Sequence, residues 1–119
     1  MAAFAVELEG RFAGTVDLRL QEGDWAEVGY GLAAWARGRH VMRRSLAQVL
    51  NWAFNEVGLI GVGWRAHVGN EASRKVAEAC GFRVEGTVRG LCVQRGKRFD
   101  AWIGTLMSSD IRPASSLAG

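Results

Sequence analysis

The sequence predicts one α/β (α+β) domain built on a mixed β-sheet, with its elements in the order β-β-β-α-β-α-β-β. Three observations predict this class. Three alternating segments come first, an amphipathic helix and an apolar strand follow, and a second helix precedes two further alternating segments. Because a helix separates the third and fourth strands, these two should be parallel neighbours in the sheet. We therefore expect helices on the faces of a mixed sheet and not a doubly wound parallel sheet.

The first three strands should form an antiparallel meander. They are predicted at residues 4–8, 12–20 and 25–32. The turn Glu9-Gly10-Arg11 separates the first two strands, and a second turn signal lies at 21–24. In the second strand Val16, Leu18 and Leu20 alternate with polar residues, so these three should share the buried face.

The long helix is predicted from about Gly38 to Val57. Its apolar residues recur at helical spacing and form one stripe, which consists of Met42, Leu46, Val49, Leu50, Ala53, Phe54 and Val57. Gly58 should end the helix as its C-cap. A short apolar strand, Leu59 to His67, follows it.

The second half of the chain should contain one more helix and two more strands. Gly69-Asn70 should open a second helix, Glu71 to Cys80, which Gly81 closes. A terminal hairpin should follow, with strands at 82–91 and 98–107 and a turn at 94–97. We therefore predict a single domain over residues 1–107 and a flexible C-terminal tail over 108–119.

Composition argues against several classes of protein. With 49% apolar and 23% charged residues, the chain of 119 residues is far from the disordered class. Charged residues among the first twenty argue against a signal peptide there, and no run is long and apolar enough for a membrane span. Cys80 and Cys92 lie in apolar runs and lack the spacing of a metal site, which predicts reduced thiols, no metal and a cytoplasmic protein.

The start of the long helix is a predicted anion site. Backbone N–H groups at a helix N-terminus and the helix dipole attract phosphate, and Arg37 and Arg39 add positive charge. The net charge of +3 suits an anionic ligand. The residues by themselves also fit an arginine-rich helix start that simply faces solvent.

Three segments carry a resemblance to a known family. They are Glu27–Leu32 with Ala36–Arg39, Gly69–Phe82, and Val84–Gly90 with Gly96–Asp100. They resemble the GNAT superfamily of N-acetyltransferases, most closely its RimJ/RimL-like group, the ribosomal-protein N-terminal acetyltransferase type. The resemblance implies a GNAT-like mixed sheet that binds acetyl-CoA. It also implies transfer of the acetyl group to a primary amine by direct attack within a ternary complex.

The resemblance also assigns site residues. The cofactor diphosphate would lie on the loop that consists of Arg37, Gly38, Arg39, His40, Val41 and Met42. Backbone N–H groups of Tyr30, Gly31 and Leu32 would polarise the thioester carbonyl, at a point where the third strand splays from its neighbour. Glycines 29 and 31 in that strand are typical of a bulge or a close backbone approach.

Three further residues complete the implied site. Asn70 would bind the pantetheine arm, Ser73 would be the general acid and Glu27 the general base. Each has a structural alternative. Asn70 is also a helix N-cap, Ser73 a first-turn helix residue and Glu27 a strand surface residue.

The chain departs from the family pattern in three places. The family loop reads Arg/Gln-x-x-Gly-x-Gly/Ala, whereas His40 and Met42 hold its two small positions here. Ala77 stands where many members carry a tyrosine acid. Members also begin with a strand and a helix pair ahead of the meander. We therefore expect weakened cofactor binding and a truncated, degenerate or dimerising chain, because uncovered apolar sheet surface invites a second copy.

The acceptor stays open between a protein N-terminus, a polyamine and a small amine. The alternative function is a catalytically degenerate acyl-CoA-binding or interaction module. A second alternative is a basic nucleic-acid-associated protein. We consider nucleic acid the less favoured partner, because no RNA-binding signature accompanies the five tryptophans, which fit packing better.

Overall fold

The computed structural model describes residues 2–111 and confirms the element order. The strands are β1 (Ala2–Leu8), β2 (Arg11–Gln21), β3 (Trp25–Leu32), β4 (Gly61–His67), β5 (Arg83–Gln94) and β6 (Lys97–Met107). The helices are α1 (Val41–Trp52) and α2 (Glu71–Ala79). Three-residue 3₁₀ turns lie at Ala34–Ala36 and Ser108–Asp110, so the predicted tail begins with an ordered turn. The rest of that tail, from residue 112, lies outside the described residues.

One six-stranded sheet has the order β1-β2-β3-β4-β6-β5. β3 and β4 are parallel, and every other neighbouring pair is antiparallel, which confirms the predicted mixed sheet. β5 runs three residues further than predicted and carries register shifts at Val84/Gly86 and Val88/Cys92. The second shift bends the β5–β6 hairpin, because Gly90 adopts a φ of +65° and donates its N–H to Asp100.

β3 and β4 separate halfway along their length. They pair only where Trp25–Val28 lies beside Gly61–Trp64. Residues 29–32 stay paired with β2 on their other side but diverge from β4. Because successive backbone groups point to opposite edges of a strand, every second residue of 29–32 presents its N–H and C=O to the gap. The predicted splay in the third strand is therefore present.

The long helix differs from its predicted bounds at both ends. It begins at Val41 rather than Gly38, because Gly38 and His40 have φ values of +84° and +55°, which a right-handed helix excludes. Its last turn, Ala53–Val57, is a π-helix that ends at Gly58 in the left-handed conformation, as the C-cap prediction requires. The N–H of Leu59 still bonds to the carbonyl of Ala53, so β4 starts only at Gly61.

The core lies between α1 and the sheet. Val16, Leu18, Leu46 and Leu106 are fully buried in it, so the predicted buried face of β2 holds over most of its length. Leu20, at the end of that face, is 54% exposed. This core fixes α1 across β1, β2 and β3 and places its N-terminus beside the gap between β3 and β4.

Candidate active site

A cleft of about 760 Å³ opens between the free half of β3, the loop before α1, and α2. It is lined by Tyr30, Gly31, Leu32, Arg37, Gly38, His40, Val41, Met42, Arg43, Asn70, Ala72, Ser73, Lys75, Val76 and Ala79. Every residue predicted for the cofactor is in this lining except Arg39, and Ser73 joins them. Segments that are far apart in the sequence thus converge on one cleft.

The loop end of the cleft is built to hold an anion. His40 is the N-cap of α1 and makes no side-chain capping bond, so the first N–H groups of the helix lack a side-chain cap. Arg37, Arg43 and Lys75 line the same cleft, and none of its described lining residues is acidic. The helix dipole and backbone donors at the loop therefore face a cleft that three cationic side chains line.

Arg39 does not point into this cleft. Its guanidinium bonds to the Glu9 carboxylate in the turn between β1 and β2, and both side chains are exposed. Arg43 and Lys75 take its place in the lining, although the sequence analysis did not assign either to the cofactor. No local pattern in the sequence indicates this exchange, because the ion pair that holds Arg39 away from the cleft joins residues 30 positions apart.

The two unusual loop residues have different surroundings. Met42 is 4% exposed and packs into the core, so its extra volume is taken up beneath the loop. His40 is exposed and holds a left-handed backbone, a conformation in which glycine is unstrained. The departure that matters for a ligand is therefore His40.

A second cleft of about 520 Å³ lies on the face of the sheet opposite α1. Glu27, Arg65 and His67 line it, and they alternate along β3 and β4 with the buried Val28 and Trp64. The bent end of β5, residues 91–94, forms its far wall. Three residues line both clefts: Tyr30, Asn70 and Ser73. The two clefts therefore meet at the gap between β3 and β4.

Glu27 lies in the second cleft and is tied to Arg65. Its Oε1 accepts from Nε at 3.4 Å and from Nη2 at 3.3 Å, and its side chain is only 17% exposed. The carboxylate lies over Gly63, where a Cβ would collide with Oε2. The structure therefore holds this candidate base in one place in the second cleft, with its charge compensated by Arg65.

Ser73 is the centre of a hydrogen-bond network at the junction. The Trp64 indole N–H donates to Ser73 Oγ at 3.1 Å, and Ser73 Oγ donates to the Tyr30 hydroxyl oxygen at 3.3 Å. The Tyr30 hydroxyl donates to the Ser73 carbonyl at 2.7 Å. Asn70 Oδ1 accepts from the Ser73 N–H at 3.2 Å, so Asn70 caps α2 and faces the clefts at once.

The sequence analysis assigned Tyr30 through its backbone and missed its hydroxyl. Burial raises the pKa of Tyr30 to about 12. Two features of the sequence could have drawn attention to this hydroxyl. Tyr30 is the one tyrosine of the chain, and it stands between two glycines of the splayed strand. The fully buried Ala77, where the family places a tyrosine, offers no titratable group.

Within residues 2–111 no helix is long and apolar enough to cross a membrane. In the same range no three His, Cys, Asp or Glu residues cluster as metal ligands would.

Comparisons with known proteins agree with this geometry. The family model for the acetyltransferase (GNAT) domain matches residues 1–83. The Bacillus subtilis (strain 168) protein named "Putative ribosomal N-acetyltransferase YdaF" is 36% identical over 75 residues, which cover 63% of this chain and 41% of YdaF.

Solved structures give the same picture. A ribosomal-protein-S5-alanine acetyltransferase from Vibrio fischeri has a TM-score of 0.79 at 27% identity, over 88% of this chain and 59% of that one. RimJ of Mycobacterium smegmatis, in complex with CoA-disulfide, has a TM-score of 0.86 at 22% identity, over 98% and 59%, and so shows a common fold. The chain spans 41–59% of the length of these three relatives.

Proposed function

Because this chain belongs to the GNAT acetyltransferase family, we propose that it is an acetyl-CoA-dependent N-acetyltransferase acting on a primary amine. The amine would attack the thioester directly while both substrates are bound. One observation carries the proposal: two clefts on opposite faces of the sheet meet at Tyr30, Asn70 and Ser73. Such a junction lets a thioester from one side meet an amine from the other without a covalent enzyme intermediate.

Acetyl-CoA would occupy the first cleft. The loop from Arg37 to Met42 would hold the diphosphate through backbone N–H groups and the α1 dipole, with Arg37, Arg43 and Lys75 adding charge. Arg39 can join them by leaving its exposed pair with Glu9, since such surface pairs contribute little stability. The pantetheine arm would then run along β3 past Asn70 into the gap between β3 and β4.

The free edge of β3 would polarise the thioester carbonyl. Backbone N–H groups within Tyr30, Gly31 and Leu32 point into a gap that β4 has vacated, so they are available to an oxygen that gains negative charge. Removing one such donor from an acyl-transfer enzyme typically slows turnover about 10²- to 10³-fold. Ordinary side-chain substitutions leave these backbone donors in place, so this step is tested through the residues around them.

Two side chains would move protons. Glu27, on the acceptor face, would take the proton that the amine loses, directly or through water. Ser73, at the junction, would give a proton to the departing thiolate. The amine nitrogen loses one proton to Glu27 and the sulfur gains one from Ser73, and return of a proton from Glu27 to Ser73 across the junction restores both residues.

The second cleft favours a protein N-terminus or a small amine over a polyamine. Glu27 is the one acid among its described lining residues, and Arg65 already compensates its charge. Arg19 also lines the cleft. A polyamine would therefore meet more positive than negative charge there, and the repulsion would weaken its binding. An acceptor with a single amine would be repelled less.

We further propose that the protein works in the cytoplasm as a homodimer. Phe12 and Leu20, near the two ends of β2, are 63% and 54% exposed. A second copy could cover such exposed apolar side chains. Sedimentation at micromolar concentrations should show a dimer, and a monomer over the whole range would contradict it.

The test is an assay of CoA release with a panel of peptides, polyamines and small amines, with mass spectrometry of the product. Wild type should acetylate at least one amine, and Ser73→Ala should lower kcat about 10²-fold. Ser45→Ala is the matched control, because it makes the same change on α1 outside both clefts. Failure of the wild type to release CoA with every acceptor would contradict the proposed function.

A further inference from the structure

The Tyr30 hydroxyl lies within hydrogen-bond distance of both oxygens of Ser73. It donates to the carbonyl at 2.7 Å and accepts from Oγ at 3.3 Å. The first distance is ordinary for an O–H···O bond, whereas the second is longer than such bonds usually are. Rotation of the phenol O–H alone is therefore enough to turn its hydrogen from the carbonyl to Ser73 Oγ.

Trp64 fixes the direction of this network. Its side chain is 2% exposed, and its indole N–H can only donate, so Ser73 Oγ must be the acceptor in that bond. The hydrogen of Ser73 is then left for the Tyr30 oxygen, which it reaches over the long 3.3 Å bond. Of the bonds in the network, this is the one that a thiolate sulfur would most easily replace.

Ser73 by itself is a poor source of a proton. If it gave its hydrogen to a thiolate and nothing replaced it, an alkoxide would remain in a partly buried site, which is unfavourable. A phenol is a much stronger acid than an aliphatic hydroxyl, and Tyr30 is the phenol in contact with Ser73 Oγ. The same phenol lines the second cleft, where the acceptor amine would lie.

We propose that Tyr30 supplies the proton that Ser73 passes to the departing thiolate, and that it regains a proton from the acceptor side. Tyr30 is thus a positioning residue that acts through Ser73, and this inference rests on the proposed function. The amine nitrogen bonds to the carbonyl carbon, the C–S bond breaks and its electron pair stays on sulfur. Sulfur takes the Ser73 hydrogen, and Ser73 Oγ takes the Tyr30 hydrogen. Glu27 takes the proton that the amine releases and returns it to Tyr30 through water in the second cleft, which both residues line, so the enzyme is unchanged.

The surroundings of the phenol agree with this role. Burial raises the pKa of Tyr30 to about 12, so the hydroxyl enters each cycle protonated at any ordinary working pH. It stands between two glycines, and nothing lies within 4 Å of a Cβ placed at Gly31, so the strand leaves space beside it.

Because Tyr30 is the one tyrosine in the chain, its hydroxyl can be altered in two independent ways. Tyr30→Phe deletes it, and growth on fluorotyrosine keeps it but makes it more acidic. Thr87→Val is the matched control, because it deletes an exposed strand hydroxyl outside both clefts. Each protein is measured for kcat as a function of pH, for its acetyl-CoA Kd by calorimetry, and for its melting temperature.

We expect Tyr30→Phe to lower kcat about 10- to 100-fold while the acetyl-CoA Kd stays within about twofold. The double variant with Ser73→Ala should be no slower than Ser73→Ala alone, because both residues serve one step. The fluorotyrosine protein should keep its activity at neutral pH, with the alkaline limb of its profile moved to lower pH. Thr87→Val should match wild type.

Three results would overturn the inference. The first is an unchanged kcat in Tyr30→Phe. The second is a loss of kcat that comes with an equal loss of acetyl-CoA affinity. The third is a double variant whose fold-loss of kcat equals the product of the losses in Tyr30→Phe and Ser73→Ala. If Tyr30→Phe does not fold, an unmoved alkaline limb in the fluorotyrosine protein overturns it. Wild type without any transferase activity would overturn the proposed function as well, whereas an active wild type with an unaffected Tyr30→Phe would remove only this inference.

Discussion

Replacing His40 by glycine should make the loop before α1 both more stable and a better anion site. His40 has φ +55° and ψ +22°. A residue with a Cβ is penalised in this region by about 1–2 kcal/mol, and histidine tolerates it better than most residues do. Glycine in turn loses more chain entropy on folding, about 0.5–1 kcal/mol. The free energy of unfolding should therefore rise by roughly 0–1 kcal/mol.

The effect on the ligand should be larger than the effect on stability. Without the Cβ, a phosphate can approach the N–H groups that begin α1 more closely. If the contact gains about 0.7–1.4 kcal/mol, the Kd for acetyl-CoA falls roughly 3- to 10-fold. Calorimetric titration with acetyl-CoA measures this directly, and thermal unfolding of the same samples measures stability.

Asp24→Gly is the matched control for this change. Asp24 has a φ of +58° in the turn before β3 and lies in neither cleft, so its replacement relieves the same backbone conformation away from the ligand. It should shift stability in a similar way and leave the Kd unchanged. An unchanged or higher Kd in His40→Gly would refute the reasoning, and a higher Kd would in addition show that the His40 side chain binds the ligand.

Three further predictions follow from the contacts around the two clefts. Gly14→Ala should lower the free energy of unfolding by about 2–3 kcal/mol in denaturant titrations, because its Cβ would collide with the backbone carbonyl of Gly31; an unaffected protein would contradict this packing. Wild type should lose up to roughly 3 kcal/mol of stability between about pH 10 and 12 relative to Tyr30→Phe, because unfolded tyrosine ionises near pH 10 whereas Tyr30 stays protonated until about pH 12; parallel stability curves would show that burial does not hold the phenol neutral. Glu27→Gln should lower kcat/KM about 10²-fold at an unchanged acetyl-CoA Kd, whereas equal kcat/KM values would remove Glu27 as the base.

Sequence reasoning succeeded where local pattern decides structure. Alternation, turn residues and helical spacing were enough for the element order, and a helix between β3 and β4 was enough to make them parallel. The splay of β3 was implied by the family resemblance, and the glycines of β3 agreed with it, because a glycine inside a strand usually marks an irregularity. Asn70 as the cap of α2 followed from the same kind of local rule.

Other features could not be predicted, because they depend on contacts between distant parts of the chain. Arg39 turns away from the cleft toward Glu9, and the hydrogen-bond partners of Tyr30 lie 43 residues further along the chain. The late start of α1 was not predicted either, because neither the residue type of His40 nor its sequence neighbours indicate a left-handed backbone. Most of the residues that line the first cleft were therefore predictable, but the directions of their side chains were not.

The most direct test of the account is a crystal structure of the protein with CoA. The account predicts density for the diphosphate on the backbone of residues 38–42 and for the pantetheine arm in the gap between β3 and β4. The sulfur should lie within hydrogen-bond distance of Ser73 Oγ. Ordered CoA elsewhere on the protein, or an empty cleft in crystals grown at saturating CoA, would contradict it.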